Sequence, residues 1–485
     1  MTFTLTDEQT AIVSAATDTP DNLLVTALAG AAKTSTLVLI ADALHEARPN
    51  SEILCLAFNK KIAVEMAERL PANCKSMTLN SLGYRTWANA LGKSRLTVDF
   101  KKGFTLMAEV IEEQSRADKD ALYKQMGELM RIVSFGKACG YMPTGQWEDR
   151  AKPLMDDSDF FHHLPQNLTA LERDVVREVT IRSIKQALKG ICDFDDQLYM
   201  PTIFGGSFPL FKLTLVDEAQ DLSALNHAML RKIVGTRRLI AVGDNCQAIY
   251  GFRGAHEDGM AELKEKFSMK ELSLTISFRC AAAIVKHAQW RAPLMRAPAW
   301  AVEGSVDTWA RWEADSLAED AAVICRNNAP LFSLAIKLLK AGRPAELGGK
   351  DIVTMITKIM SKFGDAKLSR QDVLDKIDGW LAKEKDKSKR HIHASLEDRA
   401  DCMRIFATQG EQLGDMLHYA RHLAELHAPL KLLTGHKSKG LEFDTVYFLN
   451  SSIIGSEGQD PNVRYVIQTR AKTSLVYINL DGYAA

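Results

Sequence analysis

Two adjacent carboxylates, Asp217 and Glu218, follow the apolar stretch 213–216. Such a stretch predicts a buried β-strand, and the pair would then lie at the carboxyl end of that strand. There Asp217 can hold Mg²⁺, and Glu218 can accept a proton from the water that attacks a nucleotide phosphate. Acidic pairs at the start of a helix often only complement the helix dipole, and this pair alone favours that simpler interpretation. Other segments of the chain decide between the two.

A phosphate-binding loop is the second feature that could do chemistry. Residues 22–26 predict a short strand, and residues 27–34 join it to an apolar, helix-like run. Small residues let backbone N–H groups surround phosphates, Lys33 can reach the β and γ oxygens, and the Thr34 hydroxyl can hold Mg²⁺. The loop alone is also typical of a plain strand-to-helix turn, but its pairing with Asp217 favours a nucleotide site. The predicted nucleotide-binding residues of the loop are Ala29, Gly30, Ala31, Ala32, Lys33, Thr34 and Ser35.

The loop departs from the usual pattern at both ends, where alanine replaces glycine. These positions are Ala27 and Ala32, which leaves Gly30 as the only glycine of the loop. If position 32 requires a positive φ, alanine there costs about 1–2 kcal/mol, which packing of the loop can offset.

The remaining landmarks follow the order found in superfamily 1 DNA helicases of the UvrD/Rep/PcrA type, and the chain resembles that family over residues 5–475. The family usually has His where this chain has Asn80, and many members have Trp where it has Phe252. The matching segments are 5–9 (Q motif), 57–61 (motif Ia), 78–83 (the next motif), 217–221 (motif II), 243–255 (motif III), 277–279 (motif IV), 434–444 (motif V) and 464–472 (motif VI). The resemblance implies an α/β fold with two RecA-like parallel-sheet lobes and a helical insertion in each, with ATP and Mg²⁺ as cofactors.

Roles around the nucleotide follow from these motifs. Gln247 can bridge the γ-phosphate to the DNA side, and two permanently charged guanidinium groups, Arg279 and Arg470, can stabilise charge on the transferring phosphoryl group. For a single arginine, a surface ion pair is the alternative. The predicted catalytic residues are Glu218, Gln247, Arg279 and Arg470. Further nucleotide contacts are predicted for Gln9 at the adenine, Tyr250 near the base or sugar, and Glu442 at the ribose.

A motor that moves along DNA must bind every sequence equally, which stacking and phosphate contacts achieve. Phe58 and Phe252 are aromatic residues of motifs Ia and III, although Phe58 can equally fill the core. Lysines in these motifs, Lys61 and Lys439 among them, can instead be solvated surface. The predicted DNA-binding residues are Phe58, Asn59, Lys60, Asn80, Ser81, Phe252, Arg253 and His436.

Composition agrees with a large enzyme. The 485 residues include 61 basic and 61 acidic side chains, a formal charge of +0 that argues against a nonspecific DNA coat protein. The eight cysteines show no metal-binding spacing, so we expect no metal beyond Mg²⁺. No run approaches the roughly 18 apolar residues of a membrane span and no signal peptide is visible, so a cytoplasmic protein without a membrane partner is expected.

The motif positions predict six segments. The segment 193–201 is expected to close the first insertion, although its acids can also suggest a metal site, and the 383–390 charge run is more typical of a solvated loop than of a duplex contact. With fifteen residues after Arg470, no nuclease domain is expected, so any nuclease would act in trans. The predicted segments are 1–84 (lobe 1A, first part), 85–192 (helical insertion 1B), 193–270 (lobe 1A, second part), 271–347 (lobe 2A, first part), 348–429 (a short insertion 2B) and 430–485 (lobe 2A, second part).

The resulting prediction is an ATP-dependent helicase or translocase that moves on single-stranded DNA, with ATP clamped between the two lobes. The resemblance implies 3′-to-5′ travel, strand separation of tailed duplexes, and a role in replication or repair. A translocase that strips proteins or serves a separate nuclease, with little unwinding, is the first alternative, favoured by the short second insertion. A low-turnover nucleotide-binding regulatory subunit is the second, motivated by Ala27 and Ala32.

Overall fold

The computed structural model describes residues 5–145, 147, 149–164, 168–249, 251, 259–348, 350–387 and 393–484. These residues form two compact units. The first contains the chain up to Leu28 together with Ala32–Leu274, and the second contains Ala29–Ala31 together with Thr275 onward.

The first unit is built on a parallel sheet of six strands in the order β3-β2-β6-β7-β1-β8. Its central strands are almost wholly buried, as expected for a parallel sheet covered by helices on both faces. The strands of this unit are β1 Leu23–Ala27, β2 Ile53–Leu56, β3 Cys74–Met77, β4 Thr97–Val98, β5 Ile191–Cys192, β6 Leu213–Val216, β7 Arg238–Gly243 and β8 Lys270–Leu274.

Helices of the first unit either cover this sheet or form a helical region around the small β4–β5 pair. The helices are α1 Asp7–Asp18, α2 Lys33–Ala47, α3 Lys60–Arg69, α4 Leu79–Ala90, α5 Lys102–Glu112, α6 Arg116–Cys139, α7 Asp157–His163, α8 Ala170–Leu188, α9 Asp196–Ile203, α10 Ala224–Val234 and α11 Gly259–Lys266. Close packing of α4 on α9 depends on Gly83, because a Cβ there would stand 2.1 Å from the Gln197 carbonyl oxygen.

A buried ion-pair network joins α5, α6 and α9. The Lys102 Nζ lies 2.5 Å from Asp196, and Lys137 donates to Asp196 at 2.8 Å and to Asp193 at 2.7 Å. Burial raises the pKa of Asp193, but the ammonium groups of Lys137 and Lys102 outweigh it and hold the pKa at about 2. Asp193 and Asp196 of segment 193–201 are therefore compensated by lysines, which is the structural alternative to a metal site.

The second unit is built on another parallel sheet of six strands, in the order β11-β12-β10-β13-β14-β9. Its strands are β9 Ser305–Trp309, β10 Ala322–Cys325, β11 Glu346–Leu347, β12 Lys431–Thr434, β13 Phe443–Leu449 and β14 Ala471–Ile478. Its helices are α12 Ala282–Ala288, α13 Asn328–Lys340, α14 Lys350–Met360, α15 Arg370–Lys387, α16 His393–Ala407, α17 Leu413–Glu425, α18 Gly435–Ser438 and α19 Asp460–Gln468.

Helices α14 to α17 lie within the segment 348–429 and share one core with α13 and the sheet of the second unit. Buried side chains of this core include Phe332, Ile356, Met403 and Leu413.

The two parallel sheets confirm the predicted α/β class with two RecA-like lobes. One expected division differs from the structure. The sequence divides the first and second lobes at residues 270 and 271, whereas β8 pairs with β1 in the first sheet and the second unit continues from Thr275. The reason is that an edge strand with alternating exposure, such as Lys270–Leu274, shows no motif of its own.

None of the helices in the described part of the chain has both the length and the apolar character needed to cross a membrane.

Candidate functional site

The predicted phosphate-binding loop runs from the carboxyl end of β1 to the first turn of α2, which begins at Lys33. Ala32, just before the helix, has φ 57° and ψ 40°, the left-handed conformation. Gly30 also has a positive φ, of 74°. Position 32 therefore does require the conformation in which glycine is unstrained and alanine is not. The Ser35 hydroxyl accepts a hydrogen bond from Arg69 at 3.2 Å.

The loop and the acidic pair meet because β6 lies two strands from β1 in a parallel sheet, so their carboxyl ends share one edge. The Thr34 hydroxyl donates to the Asp217 carboxylate at 2.9 Å. Asp217 is buried, and burial together with the charge of Glu218 raises its pKa to about 6, although Lys33 and Thr34 oppose the shift. These side chains bring a hydroxyl, a carboxylate and an ammonium group to one place.

Glu218 has φ 53°, which is uncommon for a residue with a Cβ. Its N–H donates to the Asp217 carboxylate at 2.9 Å, and its own carboxylate accepts a hydrogen bond from the Gln220 amide. Strained backbone of this kind costs on the order of 1–3 kcal/mol and tends to occur at functional sites.

A buried polar chain continues from the acidic pair to the end of β7. The Gln220 Oε1 accepts from the Asp244 N–H at 2.9 Å, and the Asp244 carboxylate accepts from the Gln247 amide at 2.6 Å. Burial raises the pKa of Asp244 while Lys33 opposes the shift. A Cβ on Gly243 would stand 2.7 Å from the Gln220 Oε1, so glycine keeps room for the chain.

Sequence reasoning missed Gln220 and Asp244 as site residues. Both lie inside segments that it had already matched, 217–221 and 243–255. Their position as polar residues inside matched motifs is the sequence signal that could have identified them.

In the second unit, Arg279 and Glu442 contact each other. The Arg279 Nε donates to the Glu442 carboxylate at 2.8 Å, so the two residues predicted to contact different parts of the nucleotide form an ion pair. Arg470 is buried, and its guanidinium donates to the carbonyl oxygens of Val466 at 3.0 Å and Leu441 at 3.1 Å.

Gln9 has a structural contact as well. Its Oε1 accepts from the Thr6 N–H at 3.1 Å, and the Thr6 hydroxyl accepts from the Gln9 N–H at 3.2 Å, which closes a capping box at the start of α1.

Of the predicted DNA-binding residues, Phe58 follows β2 and is 37% exposed, so it does not fill the core. Asn59 caps α3 by accepting from the Ile62 N–H at 2.9 Å, and the exposed Lys60 begins that helix. Ser81 belongs to a capping box with Thr78 at the start of α4.

Asn80, in the same turn of α4, donates to the carbonyl oxygen of Phe194 at 3.0 Å. The Phe194 ring is 56% exposed. Phe194 is not among the residues predicted from the sequence to bind DNA. His436 lies in the short helix α18 after β12.

Tyr250, Phe252 and Arg253 lie outside the described residues.

Comparisons with known proteins agree with this geometry. The model of the UvrD/REP helicase N-terminal domain matches residues 5–268, more than half of the chain. F-box DNA helicase protein 1 of Schizosaccharomyces pombe is 24% identical, over 97% of this chain and 57% of that protein. A probable DNA helicase II homolog of Rickettsia felis is 24% identical over 51% of this chain and 38% of its own length. ATP-dependent DNA helicase Rep of Escherichia coli is 31% identical over 20% of this chain and 16% of its own length. The chain spans about half the length of the first of these relatives and less of the others.

Proposed function

Because the chain belongs to the UvrD/REP helicase family, we propose that it hydrolyses ATP and uses the energy to move along single-stranded DNA. The main support is the hydrogen bond between Thr34 and Asp217, which joins the phosphate-binding loop to the acidic pair at one sheet edge. Relatives named as DNA helicases point to the same activity.

The oxygen donors of Thr34 and Asp217 fit a magnesium ion. A buried carboxylate without a compensating charge is costly, and the raised pKa of Asp217 reflects that cost. When bound with ATP, Mg²⁺ supplies positive charge to the β- and γ-phosphate oxygens. Lys33, at the start of α2, adds an ammonium group next to the N–H groups of the helix N-terminus, which favour the phosphate charge.

Glu218 is proposed to accept the proton of the attacking water. Its backbone conformation and the Gln220 hydrogen bond fix the direction of the carboxylate, so the base needs no rearrangement before reaction. The chain from Gln220 through Asp244 to Gln247 connects this base to motif III. We infer that it transmits the state of the γ-phosphate towards the DNA-binding segment that follows.

Arg279 and Arg470 remain the proposed groups that stabilise charge on the transferring phosphoryl group. The ion pair with Glu442 suggests a more specific role for Arg279. Glu442 would hold the guanidinium in place before ATP arrives, and the ribose would then compete for the carboxylate.

DNA is proposed to cross the carboxyl edge of the first sheet. Phe58 follows β2, Asn80 follows the adjacent strand β3, and the contact from Asn80 brings the Phe194 backbone to the same edge. An exposed ring stacked on a base contributes about 1–3 kcal/mol without selecting a sequence. Two exposed rings at this edge of the sheet therefore suit a DNA strand that must slide along the protein.

A translocase with little unwinding is the second possibility. Segment 348–429, in its described part, is a four-helix region packed on the core of the second unit. Such a compact insertion favours movement over strand separation. In that case, the outcome of movement along DNA would depend on partners in replication or repair, or on a nuclease acting in trans.

Unwinding of duplexes with 3′ or 5′ single-stranded tails tests the proposal. With ATP and Mg²⁺ present, the chain is expected to separate the strands of a duplex that carries a 3′ tail. ATP-driven movement without displacement would favour the translocase, and displacement from only a 5′ tail would contradict the proposed direction. If the chain binds ATP but neither hydrolyses it nor moves along DNA, the result would favour the regulatory-subunit alternative.

A further inference from the structure

A cavity of about 520 Å³ lies at the edge of the first sheet opposite the proposed nucleotide site. Its lining includes residues at the amino-terminal ends of four strands: Asn22 before β1, Ile53 of β2, Lys212 before β6 and Arg238 of β7. Lys33 and Asp217 follow the carboxyl ends of β1 and β6. In a parallel sheet these two edges lie a full strand length apart, so the cavity is separate from the site already described.

Basic side chains dominate the charged part of the lining of this cavity. Arg48, Lys212, Arg237 and Arg238 contribute to it, against a single acidic residue, Asp18. The whole chain has a formal charge of +0, so this local excess of positive charge does not follow from composition.

One of the four cations has a structural role. Arg238 donates to the carbonyl oxygens of Asp21 at 2.7 Å and Ala15 at 2.9 Å, and also to that of Ala16. Its guanidinium thus satisfies carbonyl groups at the end of α1, where a cation is also favoured by the helix dipole.

The other three cations have no such explanation. In the part of the chain that the structure describes, the side chains of Arg48, Lys212 and Arg237 form no ion pair and no hydrogen bond. Burial lowers the pKa of Arg238, and the charge of Arg48 lowers it further while Asp21 opposes the shift, so Arg48 and Arg238 lie close to each other. Like charges held together in a concave surface favour an anion between them.

We propose that this cavity binds a ligand that carries several phosphate groups. Guanidinium groups pair with phosphate oxygens through parallel hydrogen bonds, and an ammonium group adds a compact charge, so the lining suits adjacent phosphates. The same chemistry is present in a free polyphosphate, such as the tail of a nucleotide, and in the backbone of a nucleic acid strand. The site does not depend on the proposed motor activity.

Binding of inorganic tripolyphosphate, measured by isothermal titration calorimetry in the absence of Mg²⁺, tests the site. The full chain with Lys33→Ala is used, because that change weakens phosphate binding in the loop while it leaves the cavity intact. The test variant adds Arg48→Ser, Lys212→Ser and Arg237→Ser. The control variant instead adds three changes at exposed cations of the second unit, which remove the same charge: Lys358→Ser, Lys362→Ser and Arg421→Ser.

Tripolyphosphate is expected to bind the Lys33→Ala chain with one-to-one stoichiometry. The three cavity changes should weaken binding by roughly tenfold or more, and the control changes should leave it nearly unaltered. Absence of binding, or equal weakening in both variants, would overturn the proposal. Thermal unfolding of each variant shows whether the cavity changes disturb the fold, and an unfolded variant is replaced by the single change Lys212→Ser at an exposed side chain.

A second titration distinguishes the sources. If a short single-stranded oligonucleotide displaces tripolyphosphate, and the cavity changes lower the salt dependence of oligonucleotide binding by about one unit per lost contact, the natural ligand is a nucleic acid backbone. If the oligonucleotide does not compete and ATP does, the natural ligand is a free nucleotide. Both results support a polyphosphate site, whereas displacement by neither anion contradicts it.

Discussion

Restoring glycine at the two ends of the phosphate-binding loop should change stability in opposite directions. Ala32 has φ 57° and ψ 40°, a conformation that costs alanine about 1–2 kcal/mol. Glycine avoids that cost, but it loses about 0.4–1 kcal/mol through the greater freedom of the unfolded chain. The difference predicts that Ala32→Gly raises the free energy of unfolding by about 0.5–1 kcal/mol.

Ala27 is the matched control. It is the last residue of β1, it is fully buried, and it is not among the described residues with a positive φ. Because Ala27 has no positive-φ strain, glycine at this position relieves none. It also makes the unfolded chain more flexible and removes a buried methyl group. Ala27→Gly should therefore lower the free energy of unfolding by about 1 kcal/mol or more.

Thermal unfolding followed by differential scanning fluorimetry measures both changes. For a unit of this size, 1 kcal/mol corresponds to about 2–4 °C, so Ala32→Gly should raise the midpoint by about 2 °C and Ala27→Gly should lower it by at least as much. Phosphate release by Ala32→Gly should match or exceed that of the wild type. A lower midpoint for Ala32→Gly, or loss of its activity, would refute the argument from backbone strain.

Three further tests concern Asp217 at the proposed nucleotide site, the buried ion-pair network of the first unit, and the sheet edge proposed to contact DNA. The pKa of Asp217 is about 6 against an ordinary 3.8, so the folded state holds its proton more tightly and stability is lost as pH rises from about 4 to 6. In thermal scans without Mg²⁺, Asp217→Asn should remove this decline and be more stable at pH 7 by up to about 3 kcal/mol. An unchanged pH profile would exclude a buried, ionising Asp217. Asp196→Ala removes the carboxylate that pairs with buried Lys102 and one of the two that pair with buried Lys137, so it should cost about 3–5 kcal/mol in chemical unfolding. The exposed-pair control Glu52→Ala should cost less than about 1 kcal/mol, and similar losses in the two would contradict the network. Phe58→Ala and Phe194→Ala should each weaken single-stranded DNA binding by about 1–3 kcal/mol in fluorescence anisotropy, with DNA-independent ATP hydrolysis unaltered. Normal affinity in both would exclude the proposed path.

The sequence predicted well those features that depend on residues close together in the chain. The apolar runs before Ala27 and Asp217 indicated strands, and parallel strands necessarily bring their carboxyl ends to one edge, so the contact between Thr34 and Asp217 follows from the strand assignments. From the sequence, strain at Ala32 could be predicted only if that position has a positive φ, and the sequence does not give a φ angle.

Other features depend on residues that are distant in sequence. Lys102 and Asp196 are 94 positions apart, and nothing in either segment indicates that they meet. The ion pair between Arg279 and Glu442 joins residues 163 positions apart and depends equally on the fold. The extent of the first sheet was misjudged for a similar reason, because β8 is an edge strand whose partner, β1, lies near the start of the chain.

Phosphate release is measured with and without single-stranded DNA, for the wild type and for Glu218→Gln, to determine whether the chain is a DNA-stimulated ATPase with Glu218 as its base. DNA is expected to stimulate hydrolysis by the wild type, and Glu218→Gln is expected to bind ATP yet to lose turnover by about two orders of magnitude or more at every DNA concentration. Normal turnover by Glu218→Gln would show that the carboxylate at the end of β6 is not the base. Hydrolysis by the wild type that does not respond to DNA would contradict a DNA motor.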